Sequence, residues 1–382
     1  MTNGHCSIVV LVLSRINDRF EPFGCFMRQV NASPMKARSR WFCEAEVVEG
    51  LAEFGKQELR ELFGQQVIFN RTTSEMLDSF RFVFDGDLRK LVGLRCIEAV
   101  YLIRQYAIPR PKGLLGDANW RVFREQIETV MGLWPGQFHS FYLAAAGSGS
   151  RVMGRIREQI AVMTQLNPVD ERGDLLIRIV PALKANGWET RIRLTPRPLS
   201  ARSWRICNYE GALNATAARA MALMTKVPDG RTWLNLACGS GTIAIEAAEV
   251  MGNASLLALD RAERPLHCAL QNYAAAEPPL KISFIRGDAS ALPLPTHSVD
   301  GLCADLPFGQ RVGSPEENRM LYPLVLMEAG RVARRGARFA LLTHQIRLIE
   351  MLLNEQSLWR VERIVRLNLR GLHPRLYILV RC

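Results

Sequence analysis

Hydrophobic and polar positions change rhythm along this chain, and the changes divide it. From Trp41 to Val48 apolar residues dominate a strand-like run. Gly50 then opens a helical pattern, Leu51, Ala52, Phe54, Leu59 and Leu62, ended by Gly64. Strands are predicted over 67–69 and 80–84, a short helix over 87–94 and a strand over 98–107. That βαββαβ order predicts a ferredoxin-like unit. Pro109, Arg110, Pro111, Lys112 and Gly113 read as the linker that follows. A second unit starts near Asn119, with an amphipathic helix over 120–131 and a strand over 138–146. A flexible polar loop comes next (Gly147 to Arg151), then a helix over 155–165 and strands over 175–180 and 188–194.

From Arg231 the pattern becomes a strict alternation of strand and helix. Strands are predicted over 232–237, 255–260, 281–286, 299–305 and 337–343, with helices over 242–251, 263–276, 319–332 and 345–353. A final pair, 361–369 and 375–380, is separated by Gly371 and Pro374 as in a hairpin. Alternating βα units require a mostly parallel sheet covered on both faces. The expected fold class is therefore α/β, a doubly wound, Rossmann-like sheet of seven strands, preceded by an α+β half. The hairpin should add an antiparallel edge strand. A ligand should sit beyond the carboxyl ends of the strands. The expected division is an extension over 1–38, a ferredoxin-like domain over 39–110, a second N-terminal domain over 111–205 and the doubly wound domain over 206–382.

A length of 382 residues suits two or three domains, and 48% hydrophobic residues suffice for their cores. Charge changes the picture more. The formal net charge is +12, and of 49 basic residues 42 are Arg. Arg matches phosphate and stacks on bases better than Lys does, so a polyanionic partner is expected. A GC-rich genome accounts for the Arg preference but less easily for the charge. Arg is densest over 151–205, which marks an RNA-facing surface, with Arg151, Arg155, Arg202 and Arg205 as candidate contacts. The nine Cys are scattered without a CxxC pair or neighbouring His. That spacing argues against zinc or any other metal, and against a disulfide framework. It fits buried thiols in a cytoplasmic protein. Ile8 to Leu13 form an apolar run with no basic residue ahead of it, unlike a secretory peptide and too short to span a bilayer. Met35 precedes Lys36, Arg38 and Arg40 and is the expected start, leaving residues 1–34 as a weakly ordered or spurious extension. A monomer is the simplest expectation.

Four motifs follow the strands of the second half. Asn235, Leu236, Ala237, Cys238, Gly239, Ser240, Gly241 and Thr242 lead from the first strand into a helix. The glycines permit a tight turn and close approach of a ligand. The spacing is not GxGxxG, and no Lys follows as in a P-loop, so a nucleoside without a phosphate tail is preferred. Asp260 ends the second strand, where it can accept from ribose hydroxyls or cap the next helix; Arg261 adjoins it. Asp288 and Ala289 follow the third strand; Asp288 can accept from an adenine amine or form an Asx turn. Asp305, Leu306, Pro307, Phe308 and Gly309 follow the fourth. An aromatic amine is a poor nucleophile, because its lone pair is delocalised. Two acceptors aimed at its N–H bonds would expose that lone pair. The Asp305 carboxylate and the Leu306 carbonyl can supply them, with Pro307 fixing the next φ and Phe308 stacking on the base. Arg311 can meet phosphate. Cys303, inside an apolar strand, reads as an inert thiol. His344 follows the fifth strand, facing the ligand or capping a helix.

Together these motifs resemble a class I, S-adenosylmethionine-dependent methyltransferase. Asp305 to Phe308 resemble the (Asp/Asn/Ser)-Pro-Pro-aromatic signature of amino-group methyltransferases, with Leu306 in the first Pro position. Cys238 to Ala248, and Tyr209 to Thr216, are similar to the cofactor elements of RNA guanine-N2 methyltransferases. Leu199 to Arg205 resemble the exit of a THUMP domain, a module that binds the 3′ end of tRNA. The resemblance implies S-adenosyl-L-methionine as cofactor, tRNA as partner, and N2 of a guanine in the acceptor stem, position 6 first, as methyl acceptor. It places Asn235, Ala237, Cys238, Gly239, Gly241, Thr242, Asp260, Arg261, Asp288, Ala289 and Asn214 around the cofactor, and Asp305 to Phe308 around guanine. Asn235 departs from the Asp frequent in the family. Alternatives are the same chemistry on rRNA guanine or DNA adenine, or an RNA-binding protein with a decayed catalytic site.

Overall fold

The computed structural model describes residues 40–69, 76–183, 186–307, 315–369 and 371–382. The expected extension over 1–38, and with it Met35, lies outside them.

The first half is built on one sheet. It begins with β1 (Arg40–Glu46), α1 (Ala52–Phe63), β2 (Val67–Phe69), β3 (Ser79–Asp85) and, after a 3-10 turn, β4 (Ala99–Tyr106). Gly64, at φ 50, stops α1. Then come α2 (Asp117–Leu133), β5 (Ser140–Ala145), α3 (Arg151–Thr164), β6 (Asn167–Val169), β7 (Leu175–Pro181) and β8 (Trp188–Arg193). The short β6 was not foreseen. The strand order is β2-β3-β1-β4-β8-β7-β5-β6. The first four strands have the ferredoxin-like order, but the sheet does not stop there. β4 pairs antiparallel with β8, from Tyr101 opposite Arg193 to Tyr106 opposite Trp188. The expected boundary near residue 110 therefore crosses a continuous sheet. One face of that sheet packs on the helices through a single apolar core.

The second half begins with a helix that the hydrophobic pattern did not reveal, α4 (Ala215–Met224). Its alanine-rich sequence is buried nearly all round, so no amphipathic stripe marks it. The alternation follows as β9 (Thr232–Leu236), α5 (Thr242–Ala248), β10 (Ser255–Asp260), α6 (Glu263–Ala276), β11 (Ile282–Arg286) and β12 (Val299–Asp305). It continues with α7 (Pro315–Val332), β13 (Ala333–Thr343), α8 (Ile346–Asn354), β14 (Trp359–Arg366) and β15 (Arg375–Arg381). The seven strands take the order β11-β10-β9-β12-β13-β15-β14, a Rossmann-like sheet. The antiparallel strand is not at the edge, as expected, but wedged between β13 and β14. Burial explains the choice. Leu376 to Leu379 are buried on both faces, whereas β14 exposes its charged residues and suits an edge.

The two halves share a core. Val48 and Leu51 pack with Leu213, Val365 and Leu367 of the second half. At Gly50 (φ +89) a Cβ would lie 2.3 Å from the Arg366 carbonyl oxygen, so only glycine fits the contact. No helix among the described residues is long and apolar enough to cross a membrane.

Candidate active site

Every parallel strand of the second sheet ends on the same edge, and the motifs collect there. The sheet switches direction between β9 and β12, where neighbouring strands send their loops opposite ways. Ala304 is paired with Leu236, so the next residue of each strand, Asp305 and Ala237, lie side by side at the crevice.

The loop after β9 is shaped by left-handed backbone at Ala237 (φ 47), Gly239 (φ 54) and Gly241 (φ 81). Gly241 N donates to the Cys238 carbonyl at 2.9 Å, closing the turn, and Cys238 N donates to the Leu259 carbonyl at 2.9 Å. A Cβ on Gly241 would meet Ala269 Cβ at 3.0 Å, which seats the loop against α6. A Cβ on Gly239 would meet nothing within 4 Å. The loop there faces open space, a cradle that fits a ligand. Asp260 borders it. Its Oδ2 accepts from Gly239 N at 2.8 Å and its Oδ1 from Ala262 N at 3.0 Å. The same carboxylate thus ties the loop to the turn ahead of α6. Arg261, beside it, is exposed.

Asn272 of α6 was not foreseen. Fully buried, it donates from Nδ2 to the carbonyls of Ser240 and Cys207, both at 3.1 Å, and accepts from Cys207 N at 2.9 Å. It ties the glycine loop to the segment leading into α4. A polar residue among the apolar positions of α6, near Cys268 and Ala269, was the available signal. The same tie carries a disulfide between Cys207 and Cys268, contrary to the expectation of isolated thiols. Cysteines 61 residues apart meet only through the fold, so spacing could not show the pair.

Asp305 ends β12 with some surface left, but its Oδ1 is buried and has no hydrogen-bond partner among the described residues. Burial pushes its pKa up to about 7, because desolvation disfavours the charged form. Leu306 is buried, and its N–H donates to the Leu342 carbonyl at 3.1 Å. No described donor reaches the Leu306 carbonyl. The Pro307 carbonyl instead accepts from Asn318 Nδ2 and from the Tyr322 hydroxyl, each at 2.9 Å. Phe308 and Arg311 lie outside the described residues.

Several expected contacts have other work. Asn235 is fully buried and donates to the carbonyls of Leu236 and Cys303 at 3.1 and 3.3 Å. A neutral amide is cheaper there than the carboxylate it replaces. Asn214 caps α4, accepting from Thr216 N at 2.8 Å, and donates to Glu98 of the first half at 2.5 Å. Its polar atoms are spent on the chain. Thr242 is buried, and its hydroxyl accepts from Arg205 at 3.1 Å. Asp288 accepts from Ser290 N at 2.8 Å and its hydroxyl at 2.7 Å, the Asx-turn alternative. Those bonds lower its pKa, with a smaller contribution from Arg261. Asp288 is exposed and Ala289 partly buried. Cys303 is buried, and desolvation raises its pKa to about 12, as an inert thiol requires. Burial lowers the pKa of His344, helped by His373.

The RNA-facing arginines divide. Arg151 and Arg155 lie exposed on α3, which Ser150 caps by accepting from Met153 N at 3.3 Å. Arg151 is thus the first residue of a helix rather than the end of a flexible loop. Arg202 is buried, pairing with Glu246 at 2.7 Å and donating to the Arg95 carbonyl at 2.7 Å. Arg205 donates to the Leu213 carbonyl at 2.8 Å and to Thr242. Arg202 is a correction, since its buried side chain clamps the segment before α4; Arg205 is half-buried and helps hold the same segment. Arg191 is likewise paired with Glu44 and Glu189, both at 2.5 Å, on the sheet face away from the helices. Among the described residues no three His, Cys, Asp or Glu side chains group to hold a metal.

Residues 202–375 match the family described as RMKL-like, methyltransferase domain. The chain is similar to tRNA (guanine(6)-N(2))-methyltransferase THUMP3 of Bos taurus, at 36% identity over 157 residues, covering 38% of this chain and 31% of that protein. It is similar also to the tRNA (guanine(6)-N2)-methyltransferase of Thermus thermophilus, at 34% identity over 189 residues, covering 49% and 55%. The stretch spans about a third of the first relative and about half of the second. The crystal structure of TrmN from Thermus thermophilus superposes with a TM-score of 0.69 at 24% identity, over 90% of this chain and all of that one. That likeness extends the shared fold beyond residues 202–375 into the N-terminal half.

Proposed function

We propose that this chain transfers a methyl group from S-adenosyl-L-methionine to N2 of a guanine in RNA, with tRNA the first candidate. One observation carries the reading: a buried Asp305 oxygen without a described partner, at the switch point beside a glycine loop that opens on empty space. A buried acceptor left unmade is costly, and a substrate N–H would satisfy it. The names of the relatives support guanine N2 and tRNA, and position 6 of the acceptor stem is the first site to examine. Arg151 and Arg155 suit RNA backbone.

The cofactor, when bound, supplies an activated methyl on sulfur. The chain's own work is orientation. Gly239 and Ala237 leave room for the nucleoside, and Asp260 offers its carboxylate to the ribose. A guanine in a duplex shows N2 in the minor groove and must leave the stack to be reached. Asp305 Oδ1 then accepts from one amine N–H and the Leu306 carbonyl from the other, so the nitrogen lone pair is exposed. A carboxylate with a pKa near 7 can also take the proton that the amine releases. Holding the two reactants in register can contribute about 7–11 kcal/mol.

Tritium transfer from labelled cofactor into purified tRNA, rRNA and DNA tests the substrate class. Asp305→Ala should abolish transfer while calorimetry still detects cofactor binding; full turnover by that variant would falsify the mechanism.

A further inference from the structure

The Pro307 carbonyl accepts two hydrogen bonds, and both donors come from one turn of α7. Asn318 and Tyr322 are each fully buried and each 2.9 Å away. Two donors occupy both lone pairs of that oxygen. The Tyr322 hydroxyl also meets Thr343 Oγ1 at 2.7 Å, at the end of β13. Burial, with a smaller push from Asp305, raises the Tyr322 pKa, so the phenol keeps its proton. The Asn318 side chain makes no other hydrogen bond among the described residues, and its buried Oδ1 has no partner there. The Leu306–Pro307 peptide is thus held from both sides, by Leu342 through the Leu306 N–H and by α7 through the Pro307 carbonyl. The Pro307 carbonyl is drawn onto α7, while the adjacent Leu306 carbonyl has no donor among the described residues.

We propose that Asn318 and Tyr322 are positioning residues, which orient the Leu306–Pro307 peptide so that the Leu306 carbonyl accepts one proton of the substrate amine while Asp305 accepts the other. The assignment rests on the methyl-transfer reading above. Neither side chain touches substrate; both act through Pro307. Loss of either donor lets the peptide rotate and moves an acceptor by a fraction of an ångström, enough to spoil the alignment of amine and methyl donor.

The test uses the full chain and whichever RNA the wild-type protein methylates. Tyr322→Phe removes one donor and keeps the ring; Asn318→Leu removes the other and keeps the volume. Each should lower kcat about tenfold to a hundredfold, as small misplacements do, with KM for RNA and the cofactor dissociation constant unchanged. Rates are divided by the number of cofactor sites found by calorimetry, so unfolded protein does not count. A role in packing alone would lower the melting temperature and leave that normalised kcat at the wild-type value, which overturns the proposal. If Tyr322→Phe does not fold, Asn318→Leu decides by the same readout. A wild-type protein that methylates no RNA refutes the functional reading, a separate result from a variant that methylates normally.

Discussion

Asp305→Asn removes a charge from a place where the fold pays to keep it. The carboxylate has an ordinary pKa of 3.8 and is pushed up to about 7 by burial. A carboxylate whose pKa is raised by folding favours the native state below the unfolded value. That advantage fades as pH climbs from about 4 through 7. Above pH 7 the charge is present in both states, and the native state bears the whole cost of about 3 pKa units, or about 4 kcal/mol at about 1.4 kcal/mol per unit. At pH 5 the native group is mostly protonated while the unfolded one is charged, so the cost shrinks to about 2 kcal/mol. Asp305 keeps some surface, and screening trims the larger figure to about 2–4 kcal/mol. The asparagine does not titrate. Urea unfolding of both proteins at pH 5 and pH 8 should therefore show the variant to be the more stable, by a margin that widens with pH. A margin that stays constant, or a variant less stable than wild type at pH 8, would refute the claim that Asp305 is a desolvated carboxylate.

The divided arginines give a second expectation. Arg151→Ser with Arg155→Ser should weaken RNA binding and lower the slope of log affinity against log salt by about 2, with no change in melting temperature. Arg202→Ala should leave that slope alone and cost about 3–5 kcal/mol of unfolding free energy, because Glu246 loses its buried partner. A thiol reductant should cost the protein up to about 4 kcal/mol, from the loop closed between Cys207 and Cys268; urea unfolding with and without dithiothreitol measures it.

Much of this was legible in the chain because it is local. The β10 and β12 strands and the α6 helix fall where hydrophobic period placed them, and Asp305 stands where the strand-end motif put it. What escaped is carried by contacts between distant positions. Nothing near Arg202 reveals Glu246, so a buried clamp and a solvated arginine look alike. Charges at Glu189, Arg191 and Arg193 alternate with Thr190 and Ile192, as on a half-buried strand. Yet only the pairing of β4 with β8 shows that two units share one sheet. The hairpin signal at Gly371 and Pro374 fixed the turn, not which strand would lie inside. Tyr322 and Asn318 read as ordinary helix residues until the Pro307 carbonyl is seen between them.

Gly50 has a bearing on how freely the halves can be rearranged. Main chain meets main chain there, so the approach of the N-terminal half to the C-terminal half is not adjustable by swapping side chains. Grafting the N-terminal half of a relative onto this catalytic half would have to preserve a residue without a side chain at that hinge point. Without it, the grafted half would meet the C-terminal half at a new angle.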